Sequence, residues 1–120
     1  MKKLIVDIDN TICVTTNGDY ENSKVNKDLV FKLEEYQNNG FEIILFTSRN
    51  MRTFNNNVGK INFHTIPIIV DWLKKNKIPC DELHVGKPWC GFDGFYIDDK
   101  SIRPSEFVEK SYDEIKKIIE

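Results

Sequence analysis

The stretch Leu4-Ile5-Val6-Asp7-Ile8-Asp9-Asn10-Thr11 constrains this chain more than any other. Its three leading apolar residues predict a short buried strand. Two carboxylates, Asp7 and Asp9, then arrive where that strand must end. In an open α/β sheet, ligands bind beyond the carboxyl ends of the strands. Asp7 and Asp9 are therefore expected at the mouth of a site, with Thr11 closing the turn. Two acids this close repel unless a cation or a proton intervenes. That cost points to a divalent metal, and a metal beside a carboxylate points to phosphate chemistry.

The rest of the chain reads as more of the same plan. β-Favouring residues surround Asn17-Gly18, a strong hairpin signal, so residues 12–25 are expected to form a flap over the site. Asn26 predicts the cap of a helix with an apolar face of Leu29, Val30, Leu33 and Tyr36, ending at Asn39-Gly40. Residues 41–46 predict a second core strand, and the Asn-rich stretch 50–63 an irregular loop or short helix. Thr65 and Pro67 open another helix, with Ile66, Ile69, Val70 and Leu73 facing inward. Residues 82–85 and 94–97 predict a third and a fourth strand. Ser111-Tyr112-Asp113-Glu114 is a capping box that starts a closing helix. This order predicts an α/β fold, a mostly parallel sheet with helices on both faces. No repeat or linker interrupts it, so residues 1–120 are expected to form a single domain.

Composition narrows the function. Seventeen Lys and Arg against nineteen Asp and Glu give a net charge of −2, which argues against a non-specific nucleic-acid binder. No apolar run approaches the ~20 residues that span a bilayer. The chain enters its first strand without a signal-peptide apolar region, so a cytoplasmic protein without membrane partners is expected. Cys13, Cys80 and Cys90 lack zinc-knuckle spacing and are expected to be reduced thiols. His64 and His84 are not paired as metal ligands. His84 is expected to be structural. His64, at a predicted helix start, is a candidate substrate contact.

Four polar clusters follow the four predicted strands: Asp7/Asp9, Thr47/Arg49, Lys87 and Asp98/Asp99. Parallel strands share one carboxyl edge, so all four are expected to meet in one crevice. This order of acids, hydroxyl, lysine and acids resembles the four motifs of the haloacid-dehalogenase-like (HAD) phosphohydrolases. The resemblance runs from residue 7 to residue 99 and implies a Rossmann-like HAD core. It implies that Asp7 attacks phosphorus and becomes an aspartyl-phosphate, and that Asp9 is the general acid and then the base. Thr47 would hold a phosphoryl oxygen, and Lys87 would balance the charge. Asp98 and Asp99, with the Asp7 carboxylate and the Asp9 main-chain carbonyl, would bind Mg²⁺. An all-oxygen set without His suits Mg²⁺ better than Zn²⁺. Thr11, Ser48 and Arg49 are the expected substrate contacts, Arg49 gripping a second anionic or hydroxyl-rich group. Asn10 stands where many members of the superfamily carry Gly, and Asn also tolerates a left-handed backbone.

A narrower resemblance is carried by Gly86-Lys87-Pro88-Trp89-Cys90-Gly91 and by Gly94-Phe95-Tyr96-Ile97-Asp98-Asp99-Lys100-Ser101 and the residues after it. Together with Thr47-Ser48-Arg49-Asn50-Met51, these are similar to small HAD proteins of bacterial capsule-biosynthesis clusters. That resemblance implies a phosphorylated sugar, or a phosphoester attached to one, as substrate. Neither intermotif gap holds the ~50 residues of a separate cap domain. The site is thus expected to be open, able to accept a bulky substrate or to be covered by a neighbouring subunit of a homo-oligomer. A phosphorelay receiver would place its acids, Thr and Lys in a different order. A nucleic-acid 3′-phosphatase would want a basic stripe that this chain lacks.

Overall fold

The computed structural model describes residues 2–16 and 18–120, which form two compact units, Met1–Trp89 and Cys90–Glu120. In the first unit, β1 (Lys2–Val6), β4 (Phe41–Phe46) and β5 (Glu82–His84) form a parallel sheet in the order β1-β4-β5. A separate antiparallel pair is made by β2 (Cys13–Val14) and β3 (Lys24–Val25). The helices of this unit are α1 (Lys27–Asn38), α2 (Val58–His64) and α3 (Ile66–Lys75), with a short 3₁₀ turn at Tyr20–Asn22.

The local signals explain most of these elements. The Asn26 side chain accepts a hydrogen bond from the Leu29 amide and starts α1. Gly40, at φ 89°, lets the chain turn back directly into β4. Asn57 caps α2 in the same way, through the Lys60 amide, and Pro67 sits in the first turn of α3. The Asn-rich stretch is a tight, partly left-handed turn with Asn50, Asn55 and Asn56 at positive φ, followed by α2.

The core lies where α1, α2 and α3 meet the sheet. Ile8, Ile12, Leu29, Leu33, Ile43, Leu45, Ile61 and Ile69 are all fully buried. Each such side chain contributes about 1.5–3 kcal/mol on burial. Both crossovers step the same way, from β1 to β4 to β5. Right-handed connections then place α1 and the α2–α3 pair on one face of this sheet, so within this unit the helices do not flank both faces. The register sets Leu4 beside Ile43 and Val6 beside Leu45. It therefore ends β1 and β4 level with each other, with Asp7 and Thr47 as the next or next-but-one residues.

The flap expected over residues 12–25 is an antiparallel pair joined by a longer connection. Cys13 pairs with Val25 and Val14 with Lys24, and residues 15–23 form the connection. Asn17, half of the expected turn signal, lies outside the described residues, and Gly18 has φ 72°. Within this loop the Asp19 amide donates to the Thr16 carbonyl at 3.0 Å, and Trp72 Nε1 on α3 donates to the Ser23 carbonyl at 3.0 Å. His84 is exposed and pairs with Glu82, while His64 is exposed and stacks on Phe54.

The second unit departs from expectation. Residues 94–97 form no strand, and Phe95 and Ile97 are 77% and 88% exposed. β-Propensity describes a fit to a pleated, half-buried surface and cannot supply the strand to pair with. Here the segment leaves a tight turn in which Gly91 has φ 78° and a side chain at Gly94 would strike the Cys90 carbonyl. Two helices follow, α4 (Pro104–Glu109) and α5 (Tyr112–Ile119). The α5 capping box is present, with Ser111 and Glu114 exchanging hydrogen bonds. α4 was not among the expected elements, although Pro104 in its first turn and Glu106, which accepts from the Arg103 amide, mark its start.

No helix among the described residues is long and apolar enough to cross a membrane.

Candidate active site

Three of the four polar clusters lie at the carboxyl edge of the parallel sheet. The chain leaves β1 through a tight loop in which the Ile8 carbonyl accepts from the amides of Thr11, Ile12 and Cys13. Asn10 makes this loop possible at φ 62°, a left-handed conformation that Asn reaches cheaply. The loop folds Thr11 back, and its hydroxyl donates to Asp7 Oδ2 at 3.0 Å. The other oxygen of Asp7 faces Lys87 Nζ at 3.5 Å. Asp7 thus stands between a hydroxyl and an ammonium, with about a third of its side chain exposed.

The β4 end is stitched to the β5 end beyond the strands. The Thr47 amide donates to the His84 carbonyl, and the Lys87 amide to the Thr47 carbonyl. Gly86, at φ 83°, turns the backbone between them. These bonds place Lys87 next to Asp7 although eighty residues separate them in sequence. Thr47 is 1% exposed, and its hydroxyl accepts from the Arg49 amide at 3.0 Å.

Asp9 occupies a different environment from Asp7. Arg49 reaches it with two nitrogens, Nε to Oδ2 at 3.0 Å and Nη2 to Oδ1 at 2.8 Å. Thr15 adds a hydroxyl bond to Oδ1 at 2.8 Å and is itself bonded to Ser23. The Tyr20 ring lies 4.2 Å from the guanidinium, a stacked cation–π contact. Burial, and secondarily the Asp9 charge, push the Tyr20 hydroxyl above its ordinary range, against the pull of Arg49. Cys13 is buried beneath the same acid, and burial raises its thiol as well. The third guanidinium nitrogen, Nη1, is buried and has no hydrogen-bond partner among the described residues.

The arrangement gives Arg49 a role beyond the expected one. It was expected to reach out to substrate, yet its side chain is 1% exposed and its fork holds Asp9. The flap residues Thr15, Tyr20 and Ser23 complete this clamp and carried no signal in the sequence. They belong to a polar loop, and only the fold of residues 15–23 brings them to Asp9.

The expected Mg²⁺ ligands are all oxygens, which is the class that ion takes. Among the described residues, however, no group of three or more His, Cys, Asp or Glu side chains gathers to hold a metal. Both carboxylate oxygens of Asp9 are committed to Arg49 and Thr15, whereas the donor expected from this residue is its main-chain carbonyl. Asp98 and Asp99 lie in the second unit, both exposed. Asp98 accepts from the Lys100 amide, which holds its carboxyl below the usual range. Residues 94–97, expected to carry this pair as a strand, form none.

No family model and no curated protein matches the chain. The crystal structure of a structural-genomics target from Vibrio cholerae is similar to it, with a TM-score of 0.97 and 54% sequence identity. The match covers 99% of this chain and 97% of that one. With more than half of its residues identical over essentially the full length of both, this chain belongs to the same protein family as the Vibrio cholerae protein.

Proposed function

We propose that this protein is a phosphomonoester hydrolase with Asp7 as its nucleophile. One observation carries the reading. Asp7 is a half-open carboxylate at a sheet edge, steadied by Thr11 and flanked by Lys87, beside a second carboxylate held in reserve by Arg49. A purely structural carboxylate gains nothing from partial exposure at this edge. A nucleophile needs it.

In the first step an Asp7 oxygen bonds to phosphorus while the bond from phosphorus to the ester oxygen breaks. Lys87 offsets the negative charge that gathers between Asp7 and the phosphoryl group. The Asp9 carboxylic acid gives its proton to the departing alkoxide. In the second step water attacks phosphorus, Asp9 takes the water's proton, and the bond to Asp7 breaks to release phosphate. Mg²⁺ is the expected cofactor and would offset the phosphate charge.

This scheme gives the Arg49 clamp a meaning. With both Asp9 oxygens accepting hydrogen bonds from Arg49 and Thr15, the acid is parked and cannot donate. Asp9 must turn off Arg49 to work, so Arg49 is a positioning residue. The proposed substrate class is a small phosphorylated metabolite, a sugar phosphate or sugar-linked phosphoester of capsular polysaccharide assembly. Thr11 and Ser48 are its proposed contacts, and Thr47 the proposed holder of a phosphoryl oxygen. Hydrolysis of a panel of sugar phosphates, amino-alcohol phosphates and aryl phosphate, with and without Mg²⁺, tests the proposal. Mg²⁺-dependent release of phosphate supports it, and inertness across the panel contradicts it.

A further inference from the structure

We infer that the turn and helix after Arg49, residues 50–64, carry a second binding surface beside the proposed site, and that it takes the far end of the substrate, a hydroxyl-rich saccharide unit bearing a negative charge.

The charge of this surface is written in the sequence. No Asp or Glu occurs between Glu42 and Asp71, whereas Arg49, Arg52 and Lys60 do. Asp9 takes up the Arg49 charge, so Arg52 and Lys60, both exposed, give the surface its sign. In a chain of net charge −2, this is a local positive field that attracts an anion. Two cations suit a ligand of one or two charges. A nucleic-acid strand wants a longer basic track.

Three rings supply the contact. α2 buries only Ile61, and Phe63 on its outer side is 76% exposed. His64, the candidate substrate contact, stacks on Phe54 with centroids 5.6 Å apart and meets Phe63 edge-on at 5.0 Å. A single exposed aromatic residue is ordinary. Three ordered against one another form a ledge on which the apolar face of a sugar ring can lie. Asn55, Asn56 and Asn62 around them are exposed. An amide both donates and accepts, as a hydroxyl does, so these side chains match a saccharide.

The ledge is preformed and continuous with the site. The Phe54 amide donates to the Asn50 carbonyl, the Asn56 amide to the Met51 carbonyl, and the Thr65 hydroxyl to Asn50 Oδ1 at 2.8 Å. Order already present in the free protein lowers the cost of binding. A side chain at Gly86 would stand 3.3 Å from Val58 Cγ2, so α2 starts against the turn that carries Lys87. Phe63 lies five residues further, about 8 Å along the helix axis. A molecule of two sugar units can therefore place a phosphoryl group at Asp7 and its other end on the ledge. The phosphoryl end rests on the phosphatase reading above, but the affinity of the ledge for an anionic saccharide does not.

Amide and aromatic proton spectra of the full chain, titrated in turn with digalacturonate, maltose and AMP, read the surface without any reaction. Digalacturonate should shift the signals of residues 54–64 and saturate them, and maltose, of equal length but uncharged, should bind more weakly. Phe63→Ala should weaken digalacturonate about two- to tenfold, the worth of one aromatic contact. Lys60→Glu should weaken it and flatten its salt dependence. Shifts that miss residues 54–64, tighter binding of AMP there, or an affinity indifferent to both changes overturns the inference. Kinetics give the second arm. Phosphorylated digalacturonate should show a higher kcat/KM than phosphorylated maltose, and Phe63→Ala should shrink that ratio. Equal values overturn the inference and leave the phosphatase reading standing. Digalacturonate bound at residues 54–64 of a protein inert to every phosphate ester sustains the surface and refutes the phosphatase reading.

Discussion

Arg49 and Asp9 form the most consequential ion pair of the fold, and a double-mutant cycle on them has a defined expectation. The Arg49 side chain is 1% exposed and that of Asp9 about a quarter. Removing one partner of a buried pair leaves the other uncompensated and costs about 3–5 kcal/mol. The two single changes should not cost the same. In Arg49→Met the freed Asp9 oxygens can still reach water and Thr15, so the loss should be near ~3 kcal/mol. In Asp9→Asn a guanidinium is left without its counter-ion where water does not reach, so the loss should be nearer ~5 kcal/mol. The double variant removes both charges and the penalty of stranding either. Its loss should fall short of the sum by about 2–3 kcal/mol, the range for directly coupled residues. Urea unfolding of the four proteins at neutral pH measures this, provided the denaturant dependence is the same for all. For 120 residues the unfolding entropy is about 0.25 kcal/mol/K, so Arg49→Met should also lower Tm by about 12 °C. A coupling below about 0.5 kcal/mol, the value of an exposed pair, would refute the clamp as described.

Further outcomes follow from the same geometry. Asp7→Asn should take turnover to background with Tm little changed, measured by phosphate release and thermal unfolding together, because an amide cannot attack phosphorus. Asp9→Asn should show a burst and then a stall on an activated aryl phosphate, and no burst on a sugar phosphate, where the leaving alkoxide needs the acid from the start. Arg49→Lys should slow kcat on both substrates, since it acts through Asp9; a rise in KM confined to the sugar phosphate would restore Arg49 to direct substrate contact. With a thiol reagent at pH 8, Cys13 should react last and only through unfolding, because burial both hides its sulfur and raises its pKa, thinning the thiolate. Cys90, half-exposed, should react without unfolding.

The legible parts of this fold were those set by short-range chemistry. Asn26, Pro67 and Ser111 announced helix starts because a cap acts on amides within one turn. Residues 41–46 announced a central strand because a continuous apolar run has nowhere else to go in a small α/β core. Asp7, Thr47 and Lys87 were legible as a set because a parallel sheet gathers strand ends on one edge. Two features depended on partners that a local pattern does not contain. Residues 94–97 carry the alternation of a strand, but a strand also needs an edge to pair with, and they form none. Arg49, Thr15 and Tyr20 form a clamp only because the flap folds over Asp9, and nothing in residues 15–23 encodes that destination locally.

The proposed reaction requires that Asp7 bond covalently to phosphorus. Asp9→Asn should hold the protein at that stage with an activated aryl phosphate, because release of phosphate then lacks its base. Acid quenching during the stall, proteolysis and mass spectrometry of the residue 4–24 peptide measure the claim directly. One added phosphoryl group is expected on Asp7, absent in Asp7→Asn/Asp9→Asn and removed by hydroxylamine as an acyl phosphate. Turnover by the wild type with no phosphoryl group on Asp7, or with the group on another residue, would contradict it.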